Sequence, residues 1–294
     1  MLHSIFSLRS LLYVLYAVLL TAVLLYVRFP AEKFKHYCIA QIESLVPEST
    51  CTIENIDYRF PLSAAFHALT LSREIDGRET AIVFDEIAFF FELPQLGRRV
   101  AITGKMYSGR FSTVLNFDRR ARSFHLANIV GQAIELGPLA EGIGIADRKM
   151  SGIIGFSGDY QASSSAPGDG TGKGRIEMVE GSCSLLQPIL NLSALAFDKV
   201  SLGLIREDGP VQLVEGEFLG SEIMADFSGE LQLAVPFLSS NIEIIGHLEP
   251  DAGYLQAHPQ QQQVVQRLLQ RYKMEVLPFK VGGTVQRPLF RFST

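Results

Sequence analysis

An uncharged run from Ser10 to Val27, SLLYVLYAVLLTAVLLYV, is bracketed by Arg9 and Arg28 and constrains this chain before anything else. As a helix at about 1.5 Å per residue it spans roughly 27 Å, close to the ~30 Å hydrocarbon core of a bilayer. A cleaved signal peptide would have a shorter apolar stretch and a small-x-small site behind it. The residues that follow are instead Arg28, Phe29, Pro30, Ala31 and Glu32. A buried core helix is the other home for a run that is apolar all round, but Tyr13, Tyr16, Tyr26 and Phe29 toward its ends suit lipid better. The expectation is a transmembrane anchor over 10–28 after a short tail over 1–9, with 29–294 forming one domain. Arg28, Lys33 and Lys35 outnumber Arg9, and charge counting alone would keep that domain in the cytoplasm. Glu32 lies among them, and a long domain can cross against a weak bias.

Beyond the run the sequence changes character. Pro30 to Val46 carries Phe34, Tyr37, Cys38, Ile42 and Leu45 at helical spacing, so a short amphipathic helix is expected to stop before Pro47. From Thr52 the period falls to two. Ile56 and Tyr58 alternate with Asp57 and Arg59, and Leu69 and Leu71 with Thr70 and Ser72. Val100 and Ile102 follow, and then Phe111, Thr113, Leu115 and Phe117, ended by the polar turn Asp118–Arg122. Runs of this kind, about 6 to 10 residues long with turn residues between, indicate an antiparallel meander. Residues 134–145 are Gly-interrupted and fit a short helix or an extended crossing. Residues 163–174, SSSAPGDGTGKG, read as a flexible hairpin tip or linker. Gly155–Ala162 echoes Asp226–Leu233 in Phe-Ser-Gly, an acid and a Gln, as if successive hairpins each bend at a glycine. From Gln260 to Tyr272, the residues Val264, Val265, Leu268, Leu269 and Tyr272 form an apolar helical stripe. Its expected task is to cover the sheet, with partner docking as the alternative. The fold class expected is therefore mainly β: a membrane helix, then a long, curved, mostly antiparallel sheet with one or two short covering helices.

Composition narrows the function by exclusion. The 26 basic residues less Arg9 and Arg28 leave 24 against 31 acidic ones, a net charge of −7 over 29–294, which suits no polyanion such as nucleic acid. The six histidines are scattered without metal-ligand spacing, so no metal is expected. Gly172-Lys173 lacks a phosphate loop's first glycine and its Ser/Thr, because Pro167 and Gly174 stand there, so no nucleotide is expected either. Ser157 lacks nucleophile-elbow spacing. No catalytic residue and no cofactor site emerges, and the chain reads as non-enzymatic. Among three cysteines, Cys38 and Cys51 could bridge a short loop in an oxidising compartment, and three free thiols fit equally well.

Phe89, Phe90 and Phe91 occur in succession, so both faces of their strand are apolar. Either that strand is central and buried on both sides, or a lipid-like ligand or another protein covers it. Two roles follow: an assembly component that docks other envelope proteins, or a carrier whose apolar groove holds phospholipid acyl chains.

The closing stretch LPFKVGGTVQRPLFRF, Leu277 to Phe292, places a bend or bulge at Gly282-Gly283 and an edge residue at Pro288. Taken with LLYVRFPAEKFKHY, CTIENIDYRFPL and MSGIIGFSGDY, it resembles the type II secretion system protein N family in its bitopic form, over nearly the whole chain. Related closing hairpins occur in AsmA-like envelope proteins, whose long sheets are associated with lipid. The resemblance implies a single-pass protein of the bacterial inner membrane with a periplasmic β-domain. It also implies partners among other type II secretion proteins, and it supplies no catalytic residues.

Overall fold

In the computed structural model, residues 10, 12–17, 20–21, 31–45, 48–59, 63–75, 77–92 and 98–293 are described. The expected anchor lies largely outside them. Its described residues are helical, and among the described residues no helix is long and apolar enough to cross a membrane.

Helix α1 (Ala31–Leu45) leads into a single sheet of 15 strands: β1 (Ser49–Thr52), β2 (Asn55–Arg59), β3 (Ser63–Ile75), β4 (Arg78–Phe91), β5 (Arg99–Met106), β6 (Gly109–Asp118), β7 (Ser123–Glu135), β8 (Met150–Ser163), β9 (Ala166–Ile189), β10 (Leu192–Arg206), β11 (Val211–Leu219), β12 (Ile223–Gln232), β13 (Asn241–Pro250), β14 (Leu277–Gly283) and β15 (Pro288–Phe292). From β3 onward each strand pairs antiparallel with the next in sequence. β1 and β2 lie end to end along the same edge of β3. The sheet is open, with β1–β2 at one edge and β15 at the other. Three further α-helices interrupt the meander: α2 (Leu136–Gly142) after β7, then α3 (Ala252–Ala257) and α4 (Pro259–Tyr272) between β13 and β14.

Strand is 62% of the structure, far above the usual quarter for a globular domain. The reason is that one sheet supplies both wall and surface. Period-two patterning separates its faces. Along β12, Ile223, Ala225 and Phe227 are covered or half covered while Met224, Asp226 and Ser228 are exposed. The polar face carries cross-strand pairs such as Lys105–Glu86 at 3.3 Å and Arg175–Glu215 at 2.8 Å. At such exposure each contributes about 0–1 kcal/mol, so these pairs keep the face wet more than they hold the sheet together.

Bulges bend this sheet. Ala68, Asn128, Ala133, Glu180 and Glu215 all adopt left-handed φ between 49° and 55°, and Gly152 has φ 117°. Register slips accompany the ones in β7, β8 and β11. Each of these slips marks an extra residue in one strand, which kinks the ladder and increases its twist. The sheet curls until Arg148, before β8, reaches the β14–β15 turn. Its guanidinium donates to the carbonyl of Val285 at 2.9 Å and to that of Gln286 at 3.3 Å.

The expected helices over 30–46 and 260–272 are present to within a residue or two, and the ambiguous 134–145 segment contains α2. The expected flexible loop over 163–174 is corrected. Only Ser164 and Ser165 form a tip, and the glycines continue into β9, a strand of 24 residues. Tyr160 explains why so much glycine is tolerated there. Its ring lies against Gly170 and Gly172, where side chains would collide with it. Its hydroxyl donates to Pro167 O at 2.8 Å and accepts from Gly170 N at 2.9 Å.

Candidate functional site: an apolar concave face

Antiparallel partners share a face, so the strand register places residues from successive strands on the concave side. Ile87, Phe89 and Phe91 in β4 stand opposite Gly104, Ile102 and Val100 in β5. At the far end Phe279 and Val281 in β14 stand opposite Phe292 and Phe290. Ring contacts recur along this face: Phe66 against Phe89 at 5.3 Å, Phe84 against Phe111 at 5.8 Å, Phe197 against Phe218 at 6.0 Å and Phe279 against Phe290 at 5.4 Å.

A repeated cross-strand pair sets the depth of the trough. Gly104 faces Phe111, Gly131 faces Phe156, Gly181 faces Phe197 and Gly216 faces Phe227. In each, the ring lies over its partner glycine in the space a Cβ would need. The sequence echo acquires a physical meaning here. Phe156 and Phe227, the phenylalanines of the two Phe-Ser-Gly segments, occupy equivalent places over Gly131 and Gly216. Sequence reasoning missed the pairs because register decides which glycine meets which ring.

Helices cover part of the trough. Cys38, Ile39 and Ile42 of α1 pack on Cys51, Ile53 and Ile56, and Leu136 of α2 packs with Phe197 and Val200. α4 seats Val265, Leu268 and Leu269 against Leu277 and Phe279. Between the coverings the apolar lining stays open. One cavity of about 270 Å³ is bounded by Leu195, Phe218, Phe227, Ile244, Phe279 and Phe290, with Arg148 at its side. A second, of about 330 Å³, has Phe156, Tyr160, Ile176, Leu204 and Leu233 in its wall and Arg206 among its lining. Apolar cavities of about 150 Å³ already take up hydrocarbon, so either volume can accommodate a length of acyl chain.

The expected interaction residues divide. Phe89 lies half covered on the concave side, Phe91 shares that side at 39% exposure, and Phe90 is 41% exposed on the convex face. The strand is therefore not buried on both sides; the run serves two surfaces. In α4, Val265 is 3% exposed and Tyr272 donates its hydroxyl to Phe292 O at 2.8 Å. Val264 is 42% exposed and leaves the stripe expected of it. Cys38 and Cys51 sit in one apolar cluster as free thiols, and burial pushes both above the ordinary thiol range. Cys183 is likewise free, and burial raises it too. Among the described residues, no group of His, Cys, Asp or Glu could hold a metal ion.

Comparison with the models of known protein families, with curated proteins and with solved structures gives no match for this chain.

Proposed function

We propose that the protein is a membrane-tethered, non-enzymatic lipid-binding component of a bacterial envelope, whose curved sheet shelters acyl chains in its trough. The observation that carries this reading is the half-covered apolar face ending in a cavity of about 270 Å³ lined by aliphatic and aromatic groups. Apolar area left open costs about 25 cal/mol per Å², and a hydrocarbon ligand removes that cost. Tethering rests on the uncharged run from Ser10 to Val27, and the inner membrane and periplasm are its proposed location.

Native mass spectrometry of the full chain, extracted from membranes, tests the reading. The expected result is a stoichiometric phospholipid adduct. Ile244→Glu, which puts a charge on the concave side, should reduce the adduct severalfold. Ile245→Glu, on the convex face at 55% exposure, should leave it intact. A lipid-free wild-type chain overturns the proposal.

A second reading, an accessory of type II secretion that docks partner proteins, is favoured by the open sheet edges at β1–β2 and β15. Cross-linking from β15 to another secretion protein in a lipid-free preparation would move the balance to it.

A further inference from the structure

At one end of the strands, two neighbouring hairpin tips carry an unusual charge. The tip after β4 contributes Arg98 and Arg99, and the turn after β6 contributes Arg119, Arg120 and Arg122. The tips touch, because Phe117 N donates to Arg98 O at 2.7 Å and Arg99 lies opposite Asn116. Against these five arginines the tips offer two carboxylates. Glu92 is taken by Arg99 at 3.6 Å, and Asp118 accepts the backbone N–H groups of Arg120 and Ala121 at 2.8 and 3.1 Å. Arg119, Arg120 and Arg122 are exposed and pair with no carboxylate among the described residues. Apolar rings stand directly behind them, with Phe90 41%, Phe91 39% and Phe117 40% exposed.

The direction of α1 adds a second observation. Lys35 Nζ donates to Glu54 O at 3.0 Å, while Glu43 Oε1 accepts from Cys51 N at 3.0 Å. The helix therefore runs antiparallel to β1–β2, and its start points toward the strand ends that carry the arginine tips. In sequence, Ala31 at that start follows the apolar run by only three residues.

We propose that this arginine-rich lip docks on an anionic phospholipid surface and so holds the trough against the bilayer its lipid comes from. The proposal rests on the lipid-binding reading for its purpose, and on charge and chain direction for its geometry. A net-negative chain with one positive, aromatic-backed lip has the complementarity that an anionic leaflet rewards, at about 1 kcal/mol per arginine near the surface.

The chain has no tryptophan, so a single introduced indole reports its own surroundings. Full-length Ala121→Trp is reconstituted into phosphatidylcholine vesicles with brominated acyl chains, with or without about one third phosphatidylglycerol. Expected is quenching in the anionic vesicles only, reversed by high salt, with protection from aqueous iodide. Met274→Trp, at the opposite strand ends, should remain unquenched. The triple change Arg119→Gln, Arg120→Gln, Arg122→Gln in the Ala121→Trp background should weaken the contact on the order of a hundredfold. An unquenched Ala121→Trp overturns the docking, and so does equal quenching in neutral vesicles. Lipid bound in the trough is weighed separately by mass spectrometry of the same preparation. An undocked lip with a filled trough, or the reverse, thus shows which of the two ideas has failed.

Discussion

Glycine and phenylalanine act as a unit on the concave face. Opposite Phe197, Gly181 has no room for a methyl group: a Cβ would meet Ser151 O and, at 2.5 Å, the ring of Phe197. Gly181→Ala should therefore lower stability by about 1–3 kcal/mol, the usual cost of overpacking. Gly168, in the same strand, would place its Cβ more than 4 Å from any atom, so Gly168→Ala should stay within about 0.5 kcal/mol. Thermal unfolding followed by circular dichroism distinguishes them, and equal shifts would refute the ring-over-glycine account. Little of this was legible in the sequence. Gly181 and Phe197 are visible as residue types, but their pairing depends on a β9–β10 register that slips between Leu192 and Ala194, after the turn. The stripe of alternating glycines from Gly168 to Gly174 read as a flexible linker for the same reason. The partner that orders it, Tyr160, lies across a hairpin rather than beside it in sequence.

Elements were more legible than their junctions. Period-two runs announced the strands because one face meets water and the other does not, and α4 announced itself by its apolar spacing. Val264 misled because its stripe is one residue wider in sequence than in contact. Val265 and the pair Leu268–Leu269 reach Leu277, and Val264 turns to solvent. Val265→Ala should thus cost about 2 kcal/mol, near the transfer free energy of its lost carbons, while Val264→Ala should change stability by less than about 0.5 kcal/mol. Urea midpoints of the two variants check this. The bulges were not legible at all. Asn128, Ala133, Glu180 and Glu215 are not residues that betray a left-handed backbone in sequence, Asn128 excepted. Without them the pattern describes a sheet, and with them it describes a trough.

At the scale of the molecule, curvature brings together parts of the chain more than a hundred residues apart. Arg148 makes that closure, with a side chain 12% exposed and two carbonyls of the β14–β15 turn as acceptors. Removing a charged donor of this kind costs about 1.5–3 kcal/mol. Arg148→Ala should consequently speed amide exchange at Val285 and Gln286, whose N–H groups donate to Ser240 O and Leu238 O, at least tenfold. Exchange in β10 and β11 should not change; a uniform increase would mean that the closure is not local. The apolar run near the N-terminus raised the expectation of a membrane context from the first lines of sequence. The reach of Arg148 from the middle of the sheet to the β14–β15 turn could not be read there, because it is a product of accumulated twist. Finally, the strict next-neighbour pairing of the meander makes the strand ladder, the Arg148 contact apart, nearly one-dimensional, as in a solenoid, where each repeat answers mainly to the ones beside it. A hairpin added or lost in the middle would lengthen or shorten the trough without re-threading the rest. On the lipid-binding proposal, capacity for a longer or shorter hydrocarbon is a quantity this architecture can change by whole modules.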